Sequence, residues 1–221
     1  MKKKVLVMTL NIVMIAWIVL LHSTNVSATV GNIDSVIYSE DFFNGDKNFA
    51  NEIKSCFEGR GNKTGLNSRP TSAYGINAIL TNSDCTYLSS HGYSKGGKFW
   101  LSYNNGTGAV TYYTLSDVPK NFTSKLLYLN VCCGALTTSS GTSLASKFVS
   151  GGFKTAIGYT KEIEVKSARV LEENFFKQWV TYKKPAATAL SAAKEYTASV
   201  YGSKDLAVTS VKLFGNGGLV H

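Results

Sequence analysis

LLYLNVCCGALTTSSG, residues 126–141, joins an apolar run to two adjacent cysteines, a glycine and a small polar tail. Leu126 to Val131 is apolar on successive residues rather than on alternate ones. That pattern fits a strand buried on both faces, the habit of parallel sheets with helices on each side. The cysteine pair that ends the strand is open to four readings: a buried pair filling a core, half of a disulfide framework, metal ligands, or a nucleophile delivered to a strand end.

Outward from this strand, the hydrophobic period changes repeatedly. Asp34 to Tyr38 reads as a short strand. Phe49, Ile53, Cys56 and Phe57 follow at helical spacing, with Gly59 as a stop. Thr71 is placed to cap a second helix carrying Ala73, Ile76 and Leu80. CTYLSSHG, residues 85–92, reads as a strand ending in a histidine and a glycine. The aromatic stretch 98–115 alternates around Asn105-Gly106, a β-hairpin signal. After residues 126–131, a helix runs from Ser143 to Ser150 and a strand from Phe153 to Tyr159. Leu171, Phe175 and Trp179 mark a longer helix, and Pro185 opens an alanine-rich one that ends at Gly202. LAVTSVKLF, residues 206–214, reads as the last strand. Strands alternating with helices predict an α/β sandwich with a mainly parallel sheet, helices on both faces and a β-hairpin insertion.

The first 28 residues stand apart. Lys2, Lys3 and Lys4 precede a long apolar run, and Val26-Ser27-Ala28 offers small residues for signal cleavage. That is the layout of a secretory signal, and the body would begin near Thr29 and run to His221 as one domain. The alternative is an uncleaved signal anchor holding the chain to a membrane. The formal charge of the whole chain is +9; residues 1–28 carry three lysines and no acid, so the body carries +6. A charge of this size favours solubility and loose association with anionic cell surfaces; the alternative is a solvated basic face with no partner. No basic stripe interleaved with aromatics argues for nucleic acid.

Four cysteines, Cys56, Cys85, Cys132 and Cys133, are too few for a disulfide-dense scaffold and match no zinc spacing. His22 lies in the signal and His221 ends the sequence, which leaves His91 as the histidine expected inside the folded body. His91 and Cys132 each follow a strand directly. Functional residues of open α/β sheets gather at the carboxyl ends of strands. A histidine there can take a thiol proton and return it to a leaving amine. Gly92 allows a backbone N–H to approach a substrate unobstructed. Cys133 points to the opposite face of its strand from Cys132 and is a spacer on this reading, or the nucleophile if the register is shifted by one. A disulfide between Cys56 and Cys85 is a further possibility of the pattern, limited by tight geometry.

Strand-His-Gly (TYLSSHG), then strand-Cys-x-Gly (LYLNVCCG) some forty residues later, resembles the caspase–gingipain–clostripain superfamily of cysteine peptidases. The stretch from Leu144 through the alanine-rich helix is similar to its CHAT branch. The resemblance spans the whole body. It implies a three-layer caspase-like sandwich and a cysteine endopeptidase acting on peptide or protein substrates through a thioester. It implies His91 as the base, Cys132 as the nucleophile, and the N–H groups of Gly92 and Cys132 as oxyanion donors. It places Asn130 beside the pocket for the residue preceding the scissile bond (P1). It also puts Glu162 and Glu164 where CHAT-type members carry acids, a lean toward a basic P1 residue. Lys161 lies beside them, and acids are favoured at a helix start in any case. No cofactor is called for by this chemistry. The alternative function is a catalytically inactive caspase-like module that binds a surface or serves as a toxin component.

Overall fold

A computed structural model of the chain describes residues 33–38, 46–59, 63–68, 70–104 and 107–221. The secretory segment read at residues 1–28 and the Asn105-Gly106 turn lie outside the described residues. The strands are β1 (Ile33–Tyr38), β2 (Lys63–Ser68), β3 (Cys85–Ser90), β4 (Lys98–Asn104), β5 (Ala109–Thr114), β6 (Leu126–Val131), β7 (Thr155–Tyr159) and β8 (Val211–Gly215). The helices are α1 (Asp46–Glu58), α2 (Ala73–Thr81), α3 (Leu144–Ser150), α4 (Val165–Phe176), α5 (Ala186–Tyr201) and α6 (Leu206–Ser210). Six strands form one sheet in the order β2-β1-β3-β6-β7-β8. The first five run parallel, and β8 closes the edge antiparallel to β7.

Alternation along each strand divides the core into two layers. Val36, Tyr87, Tyr128, Ile157 and Tyr159 pack with α1, α4 and α5 on one face. Ile37, Leu88, Leu127, Leu129 and Ala156 pack with α2 and α3 on the other. The protein is therefore a three-layer α/β sandwich, and the near-continuous apolar run of β6 is the consequence of burial on both sides. The β4–β5 hairpin forms its own two-stranded sheet and docks on the α2–α3 side. Tyr113 is stacked there between Phe99, at 4.8 Å, and Phe148, at 5.9 Å between ring centroids.

Local differences from the sequence reading have local causes. Ser72, not Thr71, caps α2, its hydroxyl accepting the Gly75 N–H at 3.1 Å. β2 was not anticipated: an edge strand reading Lys-Thr-Gly-Leu-Asn-Ser carries no buried stripe, because Lys63 is exposed and Thr64 to Asn67 are only half covered. The segment read as one strand over residues 206–214 is α6 followed by β8. Asp205 caps α6 through the Ala207 N–H at 2.7 Å, which turns β-branched residues into a helical turn despite their propensity. Trp179 lies beyond α4 in a π-helical turn over Lys177–Thr181. There it is fully buried, stacks on Phe175 and donates its indole N–H to the Leu219 carbonyl at 3.1 Å. All four cysteines are free thiols, so Cys56 and Cys85 are not bridged.

Trp179 joins α4, α5 and the C-terminal segment in one cluster. Trp179→Ala is expected to lower stability by about 3–5 kcal/mol, the usual cost of emptying an aromatic site, read from urea unfolding.

Candidate active site

The β3–β6 register pairs Ser90 with Val131. His91 and Cys132 are therefore the first residues beyond two adjacent parallel strands, at the same level of the sheet. Side-chain parity follows the strands: Tyr87, Ser89 and His91 share a face with Tyr128, Asn130 and Cys132. A cavity of about 620 Å³ opens at this carboxyl edge, lined by His91, Gly92, Asn130 and Cys132 and, from the segment after β7, by Glu162, Glu164, Lys166 and Arg169. The structure thus gathers every site residue expected from the sequence around one opening.

The backbone at this edge is unusually close. A Cβ on Gly92 would lie 1.7 Å from the Cys132 carbonyl oxygen, so no side chain fits there. Glycine at 92 is required by the contact between the His91 loop and the Cys132 turn. That turn is closed by the Gly134 N–H on the Val131 carbonyl at 3.0 Å, with Cys133 in the left-handed region at φ 58°. A non-glycine residue held there costs about 1–2 kcal/mol. Cys133 is anchored by its N–H on the Lys161 carbonyl at 3.1 Å, and its side chain is buried away from the cavity.

The thiols differ accordingly. Burial raises the Cys132 thiol above its ordinary value and Glu162 adds to the rise, while an N–H from Ile163 on the sulfur favours the thiolate. Cys133 is pushed up to about 11 by burial, with Cys132 and Glu162 adding to it. Cys132 is the thiol that reaches the cavity. The N-terminus of α4, immediately after Glu164, opens onto the same cavity and presents the positive end of its dipole.

No family model and no curated protein sequence matches the chain. Solved structures do. The crystal structure of the Arg-specific cysteine proteinase gingipain R superposes with a TM-score of 0.68 at 13% identity, covering 88% of this chain and 48% of that one. The complex of the Porphyromonas gingivalis RgpB pro- and mature domains gives 0.65 at 13% identity, covering 88% and 50%. The Saccharomyces cerevisiae separase–securin complex gives 0.56 at 14% identity, covering 84% and 12%. The fold is that of the caspase-like cysteine peptidases. The chain spans about half the length of the gingipain chains it matches.

Three features of this caspase-like fold escaped the sequence reading. The first is the hairpin's role. The Trp100 N–H donates to the His91 carbonyl at 2.9 Å, the Tyr93 N–H to the Lys98 carbonyl at 3.2 Å, and the Trp100 ring lies 5.1 Å from the imidazole. The hairpin is a brace for His91, and this ladder passes over the Gly92 N–H between them. Lys98 is held between the Tyr93 and Tyr112 rings, at 4.1 and 3.9 Å, which fixes the same junction. The second is a buried polar layer beneath the cavity. Asn130 donates to the Tyr87 hydroxyl at 2.7 Å, and Tyr87 and Tyr159 donate to the fully buried Glu172 carboxylate at 2.7 and 3.0 Å. Burial and the Glu172 charge hold both tyrosines well above their usual range. The third is His221, whose ring is inside the body against Trp179 and Phe57. His91 is therefore not the sole interior histidine, as the sequence alone had suggested.

Glu162 opposes the Cys132 thiolate, so Glu162→Gln lowers the thiol pKa and should raise its alkylation rate by iodoacetamide at neutral pH. Mass spectrometry of the Cys132 peptide over time measures this. Glu172→Ala strands two buried hydroxyls and should cost about 2–4 kcal/mol in chemical denaturation.

Proposed function

We propose that the chain is a secreted cysteine endopeptidase in which His91 and Cys132 form the catalytic dyad. The observation that carries this reading is the register: a histidine and a cysteine end neighbouring parallel strands at one level and line one cavity. His91 takes the Cys132 proton as sulfur attacks the peptide carbonyl carbon. The oxyanion is received by the N–H groups of Gly92 and Cys132. Collapse expels the amine, which takes the proton back from His91, and leaves a thioester on Cys132. Water, deprotonated by His91, then attacks the thioester and releases the acid and the thiol. Because burial holds Cys132 as a thiol, the base is needed at neutral pH.

Asn130 lines the cavity beside the dyad and is fixed by Tyr87, which suits a wall of the P1 pocket. Glu162 and Glu164 give the lean toward Lys or Arg at P1. Lys166 and Arg169 line the same opening, so the preference over a neutral residue is modest. The order of α4 and α5 after β7 supports the placement nearest the CHAT branch. The N-terminal layout supports export, cleavage after Ala28 and a domain spanning residues 29–221. The basic body suits loose association with an anionic cell surface. Among the described residues, no helix is long and apolar enough to cross a membrane.

One observation favours the second reading, an inactive surface-binding or toxin-component module. Burial and Glu162 both hold Cys132 toward the unreactive thiol.

On a peptide library varied at P1, Cys132→Ala should fall to background and His91→Ala should lose about 10²–10⁴-fold in kcat/KM. Cys133→Ala should keep most of the activity. Activity lost in Cys133→Ala and kept in Cys132→Ala would shift the nucleophile by one residue. The Glu162→Gln/Glu164→Gln pair should narrow the preference for Lys and Arg over Gln by about 2- to 5-fold, the worth of exposed charge pairs.

A further inference from the structure

Three metal-ligating side chains meet at the opposite edge of the sheet from the cavity. Asp34 on β1 and Cys85 on β3 are direct partners in the parallel register, so their side chains leave one face side by side. His221 comes to them from 187 positions beyond Asp34, its Nε2 3.3 Å from an Asp34 carboxylate oxygen. One ligating atom from each residue lies within 4.8 Å of the other two. The group is enclosed: Asp34 is 0% and Cys85 2% exposed, and the His221 side chain 6%.

We propose that Asp34, Cys85 and His221 form a binding site for a borderline-soft divalent cation, with Zn²⁺ the best fit. One sulfur, one imidazole nitrogen and one carboxylate oxygen is a donor set that zinc accepts and that calcium and magnesium, which want oxygens, do not. Bonds of about 2.0–2.3 Å to a tetrahedral ion set ligand atoms roughly 3.3–3.8 Å apart. The His221–Asp34 pair already has that spacing at 3.3 Å, and the Cys85 sulfur, within 4.8 Å of both, would close in by at most about 1–1.5 Å. A thiolate and a carboxylate together neutralise a divalent charge, which matters where both groups are out of water.

In the metal-free protein, burial and the neighbouring Asp34 carboxylate hold Cys85 well up as a thiol. Binding replaces the S–H bond by a sulfur–metal bond and sends one proton to solvent, with no change of oxidation state. Lys183 also faces the imidazole, its Nζ 3.3 Å from Nδ1 and 3.4 Å from the His221 carbonyl oxygen, and Lys125 and Asp84 lie near Cys85. When Nε2 ligates, Nδ1 carries the proton, and the exposed Lys183 keeps only the carbonyl. Phe57 and Trp179 hold the ring in place, with centroids 5.9 and 4.7 Å away. The ion would tie β1, β3 and residue 221 together, roughly 20 Å along β3 from His91. At that distance its role is structural and independent of peptidase chemistry.

The test titrates Zn²⁺ into the full chain carrying Cys132→Ala, which removes the cavity thiol as a competitor, against a chromophoric chelator. Co²⁺ serves as the spectroscopic probe. We expect one Zn²⁺ per chain with proton release, a sulfur-to-cobalt charge-transfer band, and a raised thermal midpoint. Adding Cys85→Ser or His221→Gln should weaken Zn²⁺ by at least ~10-fold and cancel the thermal rise, with circular dichroism unchanged. His221→Gln leaves the strand residues of the cluster in place and keeps a polar side chain of similar reach, so it reads the site even if Cys85→Ser folds poorly. No stoichiometric uptake, or an affinity unchanged by His221→Gln, would overturn the proposal. So would loss of binding in Cys56→Ser alone.

Discussion

The contact between Gly92 and the Cys132 carbonyl is the constraint on which the cavity edge depends. Parallel pairing of β3 and β6 brings the two chain segments to one level, but pairing ends at Ser90 and Val131. Beyond that point nothing regular holds the loops together. The absent side chain at 92 lets them touch, where even a methyl group would collide at 1.7 Å. The turn on the other side meets this with a left-handed cysteine at 133, a strained conformation held by hydrogen bonds to Lys161 and Val131 through neighbouring amides. A left-handed non-glycine residue beside a cavity trades stability for geometry, as Lys183 does in its own turn after the π-helical segment.

Around that contact, rigidity comes from two unlike sources. Above, the hairpin seats Trp100 against the His91 ring and takes the His91 carbonyl into a short ladder. Below, Glu172 gathers the Tyr87 and Tyr159 hydroxyls in a water-excluded layer, and Tyr87 fixes Asn130. A buried carboxylate is tolerated because its oxygens are satisfied by short hydrogen bonds. Removing one partner exposes the others to the desolvation cost, so the layer behaves as a unit. The orientation of the cavity wall and the stability of the α4 face are thereby the same problem.

The chain's sequence makes β6, helices α1 to α5 and the His91–Cys132 edge legible because burial on both faces leaves an unbroken apolar run, and because strand parity is fixed once the strand is placed. Gly92 was legible as a backbone position, though the collision it avoids was not. β2 was illegible because an edge strand needs no apolar stripe. Residues 206–210 carry β-branched side chains, and only the Asp205 cap betrays their helix. Trp100 reads as one more aromatic in an alternating hairpin; that the hairpin turns back onto His91 is decided by long-range packing. Glu172, one position after Leu171, looks like a surface acid until two tyrosines on separate strands, Tyr87 and Tyr159, are seen to converge on it. His221 looks like a chain end until Trp179 and Phe57 are seen to enclose it.

The central claim is that, of four free thiols, one is a nucleophile activated by one histidine. A peptidyl acyloxymethyl ketone, whose carboxylate leaves as an activated thiolate bonds to the adjoining methylene carbon, tests it directly. The protein is incubated with the reagent, digested, and the adduct located by mass spectrometry in the unaltered chain and in His91→Ala. The account predicts a single adduct on Cys132 that disappears in His91→Ala. An adduct on Cys133 or Cys56, or labelling of Cys132 that is indifferent to His91, would contradict it.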